Sequence, residues 1–190
     1  MEKIEIARRQ LGMAMHLYLE DLDPVSVHSL AGNAHEVLHR LADKEGKPTF
    51  RDHVLQTFPG FTPKRYFDAA NLYRNAFKHL NKDDDQDLIN DFSDEQNTHL
   101  LFVCWHTYMN LTAALPIEAQ CFQFWYFSFE GDRSSDPAFA ESAKEFFGEL
   151  INLSTSERKQ RLRAAIAVAR SNVAVMSDPK TEKIPLAYTA

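Results

Sequence analysis

The sequence predicts an all-α protein, and three observations carry that expectation. Apolar residues return at intervals of three and four along almost the whole chain. Cap and breaker residues punctuate that pattern at spacings suited to helices. No run of several alternating strands appears, so no sheet is expected. With 190 residues, 44% of them hydrophobic and 14 of them Phe, the chain can enclose the core of a single domain.

Each element follows from local signals. Between Glu2 and Glu20, the residues Ile4, Ala7, Leu11, Met15 and Tyr18 mark one face of a first helix. Asp23-Pro24 supplies an N-cap and a first-turn proline for a second helix, whose stripe runs through Val27, Leu30, Ala31, Ala34, Leu38 and Leu41 until Gly46-Lys47-Pro48. A short third helix spans Thr49 to about Phe58, and Pro59-Gly60 turns the chain. Thr62-Pro63 opens a fourth, read as one helix through Tyr66, Ala70, Tyr73, Phe77 and Leu80, and Asn81 to Asp87 reads as an acidic connector. Ser93 and Gln96 form a capping box for a fifth helix that runs through Leu101, Cys104 and Tyr108 to a stop near Pro116. The stretch CFQFWYFSF, Cys121 to Phe129, is apolar on nearly all sides. It implies a helix buried within the protein or against a partner subunit, with a strand as the alternative. Asp136-Pro137 and Ser154-x-x-Glu157 begin two more helices, the last ending in AAIAVARSNVAV. Residues 1–176 are expected to form a single helical domain, and 177–190 a flexible tail.

Composition narrows the function. A net charge of −6 argues against a surface that binds nucleic acid everywhere, because phosphate binding rests on Lys and Arg. Cys104 and Cys121 each lie in an apolar stretch and suggest neither a disulfide framework nor a cysteine metal site. The charged start MEKIEIARRQ carries no apolar leader, and no eighteen apolar residues run together. A cytoplasmic protein with no membrane contact is expected. With only 6 Gly and no glycine-rich phosphate loop, P-loop nucleotide hydrolysis is unsupported.

The first candidate chemistry is the stretch RNAFKH, Arg74 to His79. On a continuous helix Asn71, Asn75 and His79 share one row, and Arg74 and Lys78 share the adjacent one. Histidine can move protons near neutral pH. Arg74 could hold phosphate oxygens in a bidentate fork, and Asn75 could orient a ligand or the imidazole. Arg74, Asn75 and His79 resemble the R-x4-6-H signature of HEPN domains, including the polar residue that often follows the arginine. The resemblance covers about residues 2–115 and implies an antiparallel helical bundle as a HEPN-like core, with about 116–176 as a helical extension. It implies a homodimer and, in many members, a metal-independent endoribonuclease that needs no cofactor and is often a toxin countered by an antitoxin protein. Other members bind without cutting. It assigns catalytic roles to Arg74, Asn75 and His79, with Lys78 and Asn71 binding RNA. One chain carries the motif once, so a catalytic reading requires two copies facing one cleft.

The competing text match is His35-Glu36-Val37-Leu38-His39, which resembles the zincin H-E-x-x-H motif. There His35 and His39 would grip zinc and Glu36 would activate water. The resemblance stops at these five residues, and a third ligand is not evident. His28 lies seven residues before His35, roughly 10 Å along a helix axis, too far to join the same ion. Two basic stretches could form a limited RNA path: Lys64, Arg65, Arg74 and Lys78 against Asp68, and Arg158, Lys159, Arg161, Arg163 and Arg170 near the C-terminus. Asp83, Asp84, Asp85 and Asp87, just beyond His79, would repel a phosphate backbone. Trp105, His106, Tyr108, Trp125 and Tyr126 are expected to be core before they are a stacking surface.

Overall fold

Asp23 shows how short-range chemistry builds the first elements. Its carboxylate accepts from the backbone N–H of Val25 and Ser26, at 3.3 and 3.0 Å, and Pro24 fills the first helical position. At the far end of that helix Gly46 takes a left-handed conformation, φ 65°, in which its N–H reaches back to the last turn. Similar caps open other helices at Thr49, Thr62, Asp136 and Ser154. The protein, seen in a computed structural model, is described over residues 1–78, 85–131 and 136–187, with 85–87 described by backbone alone. Among these residues it is all-helical. The one β interaction there is an isolated bridge between Leu115 and Thr181.

The elements are α1 (Lys3–Leu19), α2 (Pro24–Glu45), α3 (Phe50–Thr57), α4 (Pro63–Ala70), α5 (Leu72–Lys78), α6 (Asp85–Asn90), α7 (Asp94–Thr112), α8 (Ile117–Glu130), α9 (Pro137–Phe147), α10 (Thr155–Ser171) and α11 (Val173–Ser177). They fall into two compact units, Met1–Thr112 and Ala113–Leu186. In the first unit α2 packs against both α1 and α7. Leu11, Met15, Tyr18, Leu38, Leu101 and Trp105 are fully buried there. Ala7, Ala14, Ala31 and Ala34 are buried with them, and such small side chains let helix backbones come close. The Tyr18 hydroxyl meets Thr98 Oγ1 at 2.5 Å, so the polar tip of a core aromatic is satisfied.

The expected fourth helix is two helices. Asn71 interrupts it with φ −104° and ψ 2°, and its side-chain amide donates to the Phe67 carbonyl at 2.9 Å. A short amide that bonds its own backbone competes with helix continuation. The Asn71 carbonyl then accepts from Asn75 N–H at 2.8 Å, restarting the coil as α5. Part of the expected acidic connector is likewise helical, since α6 begins at Asp85. Residues 81–84, with Asp83 and Asp84, lie outside the described residues.

In the second unit the aromatic stretch is the helix α8, and the strand alternative is set aside. Phe124 meets Phe139 and Phe147 of α9 at 5.1 and 5.8 Å between ring centres. Trp125 Nε1 donates to the Arg158 carbonyl of α10 at 2.9 Å. The burial of Trp105, Tyr108 and Trp125 agrees with their expected core role. The last long helix ends earlier than the alanine-rich pattern suggests, because Asn172 Oδ1 caps Ala174 and Val175 N–H and starts α11 anew. The chain after Ser177, expected to be loose, is tied down as far as Glu182. Leu115 N–H donates to the Lys180 carbonyl and Glu182 N–H to the Leu115 carbonyl, both at 2.9 Å, while Gln120 Nε2 donates to Thr181 Oγ1 at 2.9 Å. No helix among the described residues is long and apolar enough to cross a membrane.

Truncating the fully buried Leu11 to alanine should cost about 2–5 kcal/mol in urea unfolding. Val168→Ala, on an exposed side chain, should change stability by no more than about 0.5 kcal/mol.

Candidate functional site

The site grows from one bare turn of α2. A Cβ added to Gly32 would lie 3.1 Å from Arg74 Cδ, a tight contact, so the glycine lets the arginine stem lie close on the helix backbone. One turn further along α2, Glu36 accepts from Arg74 Nη2 at 2.9 Å. The other Glu36 oxygen takes Arg40 Nη2 at 2.7 Å, an i to i+4 pair. Arg74 Nη1 also donates to Asn71 Oδ1 at 3.3 Å, so the residue that breaks the helix helps aim the guanidinium. Arg74 is 19% exposed at its side chain, Glu36 40% and Arg40 77%. The hydrogen bond from Arg74 is the main cause holding the Glu36 carboxyl below the usual carboxylate range.

Aromatic docking places α5 over α2. Tyr73 and Phe77, one turn apart, meet the buried His28 ring edge-on at 5.9 and 5.7 Å between centres. Phe92 closes on the same imidazole at 5.3 Å, while His28 Nδ1 pairs with Asn97 Oδ1 at 3.0 Å. His28 therefore belongs to the packing that carries Arg74 and Lys78.

Described residues of both competing motifs face one pocket. A cavity of about 420 Å³ is bounded by His35, Glu36 and His39 on one wall and by Arg74, Asn75 and Lys78 on the other. Asn71 and Arg40 also line it. Every expected site residue except one is thus gathered there. His79 lies outside the described residues, and the interruption at Asn71 means that the continuous row Asn71, Asn75, His79 is not a feature of one unbroken helix.

The two α2 histidines are engaged elsewhere. His35 Nε2 is 3.3 Å from the Tyr66 hydroxyl, and burial pushes that phenol up, so it remains a donor. His39 Nε2 is 3.1 Å from Arg51 Nη1. A guanidinium can only donate, so this contact makes Nε2 the acceptor and assigns the ring proton to Nδ1. Arg51 is itself held by Asp43 and Asp52, at 2.9 and 3.0 Å. Burial, with smaller pushes from His39 and Arg74, drives His35 down to about 4. Burial also lowers His39, against the opposing pull of Asp43. Among the described residues no three His, Cys, Asp or Glu side chains gather to hold a metal ion. A cation between His35 and His39 would have to displace Tyr66 and Arg51 from the imidazoles and sit among guanidiniums.

Gly32, Arg51, Tyr66 and Asp43 support the site without belonging to either motif. Only Gly32 left a trace in the sequence, as a lone glycine inside a helical stripe, which signals a close approach of another group. The C-terminal basic stretch is less of a surface than its charges suggest. Arg158 donates to the Leu153 carbonyl, Lys159 is buried, and Arg170 pairs with Glu118. Cys104 and Cys121 are free thiols. No family model, curated protein or solved structure matches the chain.

Two outcomes follow from this geometry. Gly32→Val should lift the Arg74 stem from α2 and break its pair with Glu36, seen as a loss of protection of the Arg74 guanidinium signal in NMR. Because the folded-state pKa of His35 lies below the unfolded value near 6.5, the unfolded chain binds more protons in between. Stability is full above about pH 6.5 and declines as pH falls toward about 4, by on the order of 3 kcal/mol from this residue. Urea unfolding from pH 7 to 4 should show that slope, and His35→Gln should reduce it, the remainder coming from His28, His39 and His106, which burial also lowers.

Proposed function

We propose that the chain is a HEPN-like protein whose pocket between α2 and α5 takes a phosphodiester of RNA, and that two copies joined as a dimer cut it without a metal ion. The observation that supports this reading is the convergence of Arg40, Arg74 and Lys78 with Asn75 on one cavity. These groups suit a phosphate: a fork for two oxygens, flanking positive charge and an amide to orient the ester. In the proposed reaction the 2'-oxygen attacks phosphorus, the bond to the 5'-oxygen breaks, and a 2',3'-cyclic phosphate and a 5'-hydroxyl result. The His79 imidazoles of the two copies take the 2'-proton and return one to the leaving oxygen. Arg74 stabilises the charge that builds on the phosphorane. A phosphate must compete with Glu36 for Arg74, so the carboxylate sets how readily the site accepts RNA.

That same pair favours a second reading. An arginine already neutralised by Glu36 and steadied by Asn71 also suits a module that binds a nucleotide, an RNA or a protein and does no chemistry. Incubation of purified protein with RNA in EDTA separates the two. Cutting should persist in the chelator and fall by about 100-fold or more in Arg74→Ala and in His79→Ala. Folded protein that binds RNA but leaves it whole in every sample would establish the binding module and sink the nuclease. Glu36→Gln should tighten RNA binding at low salt, measured by fluorescence anisotropy, because it releases the Arg74 charge.

A further inference from the structure

A second cavity, of about 480 Å³, lies between α1 and α2 on the other side of the Arg74–Glu36 pair. Four cationic side chains border it: Lys3 from α1, Arg40 and Lys44 from α2, and Arg74 from α5. Glu36 is the single acid on its wall, and that carboxylate is shared by Arg40 and Arg74. Lys3 and Lys44 make no ion pair within the described residues, so the cavity carries a surplus of positive charge with no internal counter-ion. Such a surplus on a concave wall attracts an anion.

The opposite character lies beside it. Ile6, Val37 and Leu41 give the cavity an apolar wall. Among them stands Gln10, whose carboxamide oxygen is buried without a hydrogen-bond partner. Buried polar atoms are nearly always paired, and the oxygen does not face the groove as it stands; turning the amide about its last side-chain bond would bring it there, within reach of a donor on an occupant. Inorganic phosphate would use the cations and leave the apolar wall and Gln10 idle. A sugar phosphate would place hydroxyls against aliphatic side chains. A flat heterocycle can lie on Ile6, Val37 and Leu41, present ring N–H or carbonyl groups to Gln10, and extend a phosphate to Lys3, Arg40 and Lys44. The volume is in the range of small-ligand sites.

We infer that the groove between α1 and α2 is a binding site for a free nucleoside monophosphate, separate from the α2–α5 pocket. The two sites share Arg40, Glu36 and Arg74. A phosphate that draws Arg40 away from Glu36 leaves that carboxylate more fully to Arg74, so occupancy of the groove weakens anion binding at the other pocket. The inference does not depend on RNA cleavage, since binding is read directly and without RNA.

Isothermal titration calorimetry of the full chain with AMP, GMP, CMP and UMP tests it, with adenosine and inorganic phosphate as reference ligands. At least one nucleotide should bind once per chain, about tenfold or more tighter than either reference. Lys3→Glu with Lys44→Glu should weaken binding by about tenfold or more. Both side chains are exposed, so circular dichroism should show the fold intact. Gln10→Leu should erase the preference among bases while leaving the phosphate contribution. Lys78→Ala, which alters only the α2–α5 pocket, separates the sites. An equal loss in that variant would place the nucleotide in the other pocket and overturn the assignment. So would inorganic phosphate binding as tightly as the nucleotides, or no heat from any nucleotide up to about 1 mM.

Discussion

Arg74 lies against the bare backbone of Gly32, where even a Cβ would sit only 3.1 Å from its Cδ. Its head is held by a carboxylate one turn along the same helix. This places a positive group at the wall between two cavities and fixes the side of α2 that α5 faces. The ion pair is half-exposed at Glu36, so its own contribution to stability is small. Its importance is positional, because a planar fork engaged on two sides has few alternative orientations.

The surroundings of that pair are arranged against extra protons. His35 and His39 stack with ring centres 5.9 Å apart, and neither can charge easily because burial disfavours the imidazolium. Tyr66 and Arg51 occupy one nitrogen of each ring. The positive character of the pocket thus comes from Arg40, Arg74 and Lys78. Beside these cations the two imidazoles form a wall that resists protonation.

The helical architecture was readable because its causes are local. Asp23, Thr49, Thr62, Asp136 and Ser154 cap the helices they were expected to cap, since a cap involves only the next few backbone N–H groups. Two helix breaks were missed at Asn71 and Asn172, where the apolar period continues across the break while an amide redirects the backbone. The fastening of Lys180–Glu182 to Leu115 was also invisible, because a ladder contact joins segments far apart in sequence and leaves no periodic trace.

The sequence by itself determined the helical class, most of the helix starts and their apolar faces, and it singled out two candidate stretches, because spacing along one helix carries all of these. It presented HEVLH and RNAFKH as rival motifs. Only the tertiary structure decided that Arg74, Asn75 and Lys78 of the one share a pocket with His35, Glu36 and His39 of the other, with Glu36 bound to an arginine 38 residues away. Their meeting depends on how α5 docks through Tyr73 and Phe77 onto His28 and on the room left by Gly32. Those are contacts between helices, which the order of residues within either helix does not encode.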